Sequence, residues 1–218
     1  VGATRNISGT IRSFKEKGFL PHGNRSNGEN IFENATGELY LDTERFFMTV
    51  NTPRLQGMCA PAGERADLAD VQILSHNRNG NLTIAAVDGL KPIREAKRLL
   101  LVRLTNALNS EMVFTDDSMT QLENLGHIPA LLQNSSFRFR IRSRYAKDLK
   151  LYPLSLEGIR TGKVLFPVAI DGNSATFSVD TAKDGNTVYF EISAETPSGK
   201  LRKIPFGTGK PDDSIRNK

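Results

Sequence analysis

Along much of this 218-residue chain apolar and polar residues alternate one by one, and that period narrows the choice of folds more than any other feature. In Phe137-Arg138-Phe139-Arg140-Ile141-Arg142 the apolar side chains share one face and the arginines the other. The same period runs through Ala175-Thr176-Phe177-Ser178-Val179-Asp180 and Val188-Tyr189-Phe190-Glu191-Ile192. It recurs in Phe46-Phe47-Met48-Thr49-Val50-Asn51, where Phe46, Met48 and Val50 form the expected inner face. Strands turn successive side chains to opposite sides, so such stretches bury one face of a sheet and wet the other. Asn79-Gly80, Asp88-Gly89, Asp171-Gly172 and Asp184-Gly185 supply turn signals between the runs. The pattern predicts an all-β chain: an antiparallel β-sandwich of about a dozen strands, with one or two short helices.

The rest of the chain divides around that domain. Ile11 to Leu20 reads as a short amphipathic helix stopped by Pro21, and residues 22–30 are rich in turn formers. Residues 1–30 are therefore expected to be a helical join, 31–196 the sandwich and 197–218 a flexible tail. The opening Val1-Gly2-Ala3-Thr4 has neither an initiator Met nor a signal peptide, as in a processed or excised piece. From Glu95 to Leu108, the spacing of Leu100, Leu101, Leu104 and Leu108 suits a helix or a buried strand equally. Asp117 to Asn124 reads as a capped turn of helix closed by Gly126.

Several function classes drop out early. No apolar run approaches 18 residues, so no membrane span is expected. Cys59 is the single cysteine, which excludes an intrachain disulfide and a cysteine zinc cage. The formal charge of +5 is a modest excess, partly in the C-terminal stretch, and no nucleic-acid signature accompanies it. His22, His76 and His127 have no local nucleophile signature near them, and no Gly-x-Ser-x-Gly elbow exists. Gly207-Thr208-Gly209-Lys210 fails as a phosphate loop, because Ile204 stands at the first glycine position and Pro211 follows the lysine. No cofactor or metal is expected. Asp116-Asp117 suits either calcium or the cap of a helical turn.

Two features point outward. Arg138, Arg140 and Arg142 form a stripe that would meet carboxylates or sulfates through paired N–H groups, or would pair with acids on neighbouring strands. Tyr40, Tyr145, Tyr152 and Tyr189 offer rings for stacking in a chain without tryptophan, and each also fits a half-buried sheet position.

Ala35-Thr36-Gly37-Glu38-Leu39-Tyr40-Leu41-Asp42, followed by Thr49-Val50-Asn51-Thr52-Pro53-Arg54-Leu55-Gln56-Gly57, resembles a "S-D-T-G-E-L-x-W-D … V-x-T-P-R-T-Q" pattern. Glu95 to Leu101 and Asn109 to Phe114 resemble "E-S-K-R-L-L-L … N-T-G-M-x-F". Leu151 to Arg160 and Thr187 to Glu191 resemble "L-D-x-x-G-x-R" and "T-x-Y-F-E". In this order, from Asn30 to Glu195, the motifs resemble C-terminal β domains of large bacterial glycoside-hydrolase-like proteins. The chain departs from the pattern where Asn34-Ala35-Thr36 replaces Ser-Asp-Thr and Ser110-Glu111 replaces Thr-Gly.

The resemblance implies a non-catalytic accessory domain of a secreted enzyme. The catalytic carboxylates would lie in an upstream (β/α)8 barrel of the same polypeptide, with polysaccharide, acidic polymers included, as the further partner. It also tips Leu99 to Leu104 toward a strand. If this domain holds sugar, the expected polar contacts are Arg54, Gln56, His76, Asn77 and Asn79, with Tyr40 as a stacking face. The Thr52-Pro53-Arg54 turn equally suits a purely structural role. The alternative is an adhesion or assembly module without sugar binding.

Overall fold

The computed structural model describes residues 6–195. The expected tail, with Gly207 to Lys210, lies outside the described residues.

The helix (α1) spans Ile7–Glu16, about one turn earlier than the sequence suggests. Its ends explain the shift. The Asn6 side chain accepts the Gly9 N–H at 2.8 Å and starts the helix. At the other end Gly18 takes φ 72°, and the Phe19 N–H reaches back to the Phe14 carbonyl at 2.8 Å. The Phe14 and Phe19 rings meet edge to face at 5.8 Å, which completes a glycine-terminated helix end. Hydrogen bonds tie the segment to the start of the sheet. Lys15 Nζ donates to the Ser26 carbonyl at 2.8 Å, and Asn24 Nδ2 donates to the carbonyls of Glu33 and Asn34.

Strands succeed it at Ile31–Glu33 (β1), Leu39–Asp42 (β2), Phe47–Asn51 (β3), Leu55–Ala60 (β4), Ala66–Asp67 (β5) and Val71–His76 (β6). Next come Gly80–Ala86 (β7), Arg98–Leu104 (β8), Ala107–Ser110 (β9), Val113–Phe114 (β10), Leu122–Asn124 (β11) and His127–Leu132 (β12). Ser136–Arg142 (β13), Lys150–Pro153 (β14), Ala169–Asp171 (β15), Ser174–Asp180 (β16) and Tyr189–Ser193 (β17) end the described series. The count exceeds a dozen because the chain adds short edge strands and an arm, β9 to β12.

One sheet runs β1-β2-β3-β4-β7-β8-β17-β14 and the other β15-β16-β13-β6-β5. Their pairings are antiparallel. The two sheets pack face to face as the expected sandwich. Phe139 stacks on Phe177 at 5.3 Å within the smaller sheet, and Phe137 crosses to meet Phe190 of the larger one edge-on at 6.1 Å. Ile73, Leu82, Ile84, Leu99, Leu101 and Ile141 fill the space between with essentially no exposure. Glu95 to Leu108 thus resolves as a short 3-10 turn, Ile93–Glu95, then strands β8 and β9.

Two local expectations change. In β3 the inner face is Phe47 and Thr49, while Phe46 is 79% exposed and Met48 also faces out. Two adjacent phenylalanines leave the phase of a strand open. Pairing settles it, because Phe47 lies opposite Asp42 and meets Tyr40 edge-on at 6.3 Å. Asp117 to Asn124 is not helical: β10 and β11 form a hairpin around it. Asp116 Oδ1 accepts the Ser118 N–H at 2.9 Å and Met119 takes φ 55°, a geometry that turns the chain back. Among the Asx-Gly pairs, Asp171-Gly172 closes the β15–β16 hairpin, whereas Asn79-Gly80 and Asp184-Gly185 lie where the chain crosses between sheets. Gly80 takes φ 139°, and a Cβ there would fall 2.1 Å from the Leu104 carbonyl oxygen, so only glycine fits.

Removing the ring at the centre of this core leaves a large void. Phe139→Ala is expected to cost about 3–5 kcal/mol, read by urea unfolding as a lower midpoint with an unchanged slope.

Candidate functional site

The structure does not gather the six expected sugar contacts into one groove. Gln56 is fully buried. Its Oε1 accepts the N–H groups of Asp70 and Val71 at 2.7 and 3.0 Å, and its Nε2 donates to the Thr52 carbonyl. It fastens one sheet to the other and is no solvent-facing contact. Arg54 is exposed, with its guanidinium on the Gly89 carbonyl. Tyr40 lies beneath the Arg25 guanidinium, 4.1 Å from the ring centre, which occupies the stacking face.

His76, Asn77 and Asn79 sit at the opposite end of β6, about 17 Å of strand away from Val71. His76 is buried and Asn77 Oδ1 accepts the Ser136 N–H at 2.8 Å. Asn79 Oδ1 accepts the Ala62 N–H at 2.9 Å. Since the Arg78 carbonyl can only accept, His76 Nδ1 carries the proton that bonds it at 2.8 Å.

The outer faces of the two sheets differ in chemistry. On the smaller sheet Arg138, Arg140 and Arg142 are exposed and register with Ser178, Thr176 and Ser174. Arg140 donates to Thr176 Oγ1 and Gln72 Oε1, and Arg142 to the Ala69 carbonyl. Among the described residues no carboxylate lies within ion-pair distance of these three guanidiniums. On the larger sheet the most exposed outward residues, from β2 to the Leu104 end of β8, are apolar: Leu39, Leu41, Met48, Leu55 and Leu104 are each 37–47% exposed. Cys59 lies among them, exposed, opposite Met48. The arm that leaves the Leu104 end of β8 adds Leu125, Ile128 and Leu131, each more than half exposed.

Three of the resembling motifs meet where no site was expected. Arg98, Arg160 and Glu191 converge on the outer side of β8 and β17. Arg98 Nε and Arg160 Nε each donate to a separate oxygen of Glu191, both at 2.7 Å. The Arg160 guanidinium also lies 3.8 Å above the Tyr152 ring. Burial by itself would raise the Glu191 carboxyl; the hydrogen bonds and charges of Arg160 and Arg98 outweigh it and hold the group below the usual carboxylate range. With both oxygens occupied and the proton lost, this carboxylate is a clamp for the 154–168 loop and not a general acid. The available signal was a lone acid inside the apolar run Val188 to Ile192.

Asp116 and Asp117 are exposed turn residues, and among the described residues no three of His, Cys, Asp and Glu converge as metal ligands. No family model, curated protein or solved structure matches the chain.

Two titrations divide the pH dependence of stability. Burial lowers the His76 imidazole, so its contribution is full above about 6.5 and is lost as the unfolded form protonates below that. The Glu191 contribution is full above about 4.3 and is lost as pH falls through the depressed folded value. Stability measured by urea from pH 8 to 3 is expected to fall in two steps. His76→Gln removes the first. Glu191→Gln shrinks the second and costs about 3–5 kcal/mol at pH 7.

Proposed function

We propose that this chain is a non-catalytic accessory β-sandwich of a secreted bacterial glycoside hydrolase, docked by one outer face and holding acidic polysaccharide on the other. The observation that carries the reading is the opposed chemistry of those faces: apolar over β2, β3 and β4 of the eight-stranded sheet, arginine-lined on the five-stranded one. Contiguous exposed apolar surface marks an interaction site. The motifs behind the resemblance fall mostly on that same sheet, in β2, β3, β4, β8, β14 and β17.

The reading assigns the catalytic carboxylates to a (β/α)8 barrel of the same polypeptide, against which Leu41, Met48 and Leu55 would be covered. The arginine stripe suits sulfate or uronate groups, since guanidinium presents paired N–H donors to such oxyanions. Alternate residues of a strand lie about 7 Å apart, so a repeating anionic chain can meet several of them at once. A domain that holds polymer beside an active site raises the local substrate concentration without adding chemistry.

Affinity electrophoresis through gels containing dextran sulfate, polygalacturonate or neutral dextran tests the polysaccharide half. Retardation is expected in the two charged gels only, at least tenfold weaker for the triple Arg138→Ala, Arg140→Ala, Arg142→Ala variant. Equal mobility in all three gels returns the chain to an assembly or adhesion role. For the docking half, the region encoded upstream is expressed separately and mixed with this chain. A one-to-one complex by light scattering is expected, lost with Leu41→Lys plus Met48→Lys and protecting Cys59 from thiol reagents. An upstream region lacking a barrel, or no complex with one, would falsify the docking.

A further inference from the structure

Arg103 is the largest side chain sealed within the sandwich, 1% exposed, on the inner face of β8. A buried cation ordinarily has an anionic partner. Here the guanidinium bonds only neutral groups: Nε to Ser135 Oγ at 3.2 Å, Nη1 to the Asn81 carbonyl at 3.1 Å and Nη2 to the Arg78 carbonyl at 2.7 Å. Among the described residues no carboxylate lies within ion-pair distance of it. Burial pushes it down to about 10, so the positive charge persists at neutral pH.

A small pocket opens beside it, lined by Arg103, Asn134, Ser135, Thr181 and Asn186 with Leu132 among the apolar residues. Its free volume, about 10 Å³ for the centre of a water-sized guest, is close to the least that a single guest needs, and Leu132, Gln133, Asn134 and Asn186 at its rim are exposed. Four of the acceptors around it already receive a bond. The carbonyls of Gln133, Ser135 and Thr181 receive Thr105 Oγ1, the Thr181 N–H and the Asn186 N–H. Asn134 Oδ1 receives Thr181 Oγ1, which leaves the Asn134 NH2. Ser135 Oγ accepts from Arg103 and keeps its own O–H to give. Arg103 has five N–H groups and three bonds, so two N–H groups remain.

An unneutralised cation and unused donors on Arg103, Ser135 and Asn134 beside a pocket for one small guest favour an anion over a metal. We propose that this pocket binds a single monovalent inorganic anion, chloride in ordinary solution, held by Arg103, Ser135 and Asn134. The guest completes the charge balance at the end of the sandwich where the arm begins.

Bromide replaces chloride in crystals, and its anomalous scattering locates it. A peak within hydrogen-bond reach of Arg103 and Ser135 is expected. In solution at fixed ionic strength, replacing gluconate with chloride is expected to raise the thermal midpoint by a few degrees, saturably. Because Arg103→Met removes a core residue and can fail to fold, the decisive variant is Asn134→Asp. It supplies the anion from the chain itself and is expected to abolish the chloride response. No bromide peak, or a saturable chloride response that survives in Asn134→Asp, overturns the proposal.

Discussion

Two sheets pressed together through phenylalanine rings are the constraint on which the other features rest. Phe139 and Phe177 fill the middle of the smaller sheet, and Phe137 carries the contact across to Phe190. Once those inner faces are fixed, every outward residue is fixed too, because the pleat allows no other choice. The arginine stripe of β13 and the apolar face of β2, β3 and β4 are therefore two results of one packing decision. Gln56 reinforces it by binding the backbone of the opposite sheet from within.

Among the buried charges of the fold, Glu191 and Arg103 are accommodated in different ways. Glu191 receives a guanidinium on each oxygen, so the desolvation that would neutralise it is offset and the carboxylate stays ionised. The clamp joins β8, β17 and the loop after β14, three pieces distant in sequence. Arg103 has two carbonyls, a hydroxyl and the face of the Phe137 ring around it. Carbonyl dipoles solvate a cation without cancelling its charge, so Arg103 adds to burial in lowering the neighbouring His76 imidazole, against the hydrogen bond to Arg78 and the Glu64 charge that raise it.

The arm formed by β9 to β12 stands apart from that logic. Every residue of β11 and β12 is exposed, although the two strands contain Leu122, Ile128, Leu131 and Leu132. A two-stranded ribbon has no second layer to cover its apolar side. Local pattern predicts a helical turn here, because Asp117-Ser118 offers a cap. The chain instead uses Asp116 to close a hairpin, a choice that short polar segments leave to backbone geometry at residues such as Met119.

Period-two alternation in Phe137 to Arg142 and Ala175 to Asp180 was enough to determine strands, their inner faces and the sandwich class. Each of those properties depends only on neighbours one or two residues away. Where local chemistry was degenerate, the tertiary structure decided. Alternation read from Phe46 put Phe46, Met48 and Val50 inside, whereas pairing with β2 turned Phe47 into the core. Gln56, a polar surface residue by its chemistry alone, proved a buried acceptor because strand β6 brought two N–H groups to it. Arg98 and Arg160 stand in mixed polar segments far apart in sequence, and Glu191 in the apolar run Val188 to Ile192. Their meeting, like the loneliness of Arg103, is a matter of distance through space, which hydrophobic burial sets and no short window of sequence encodes.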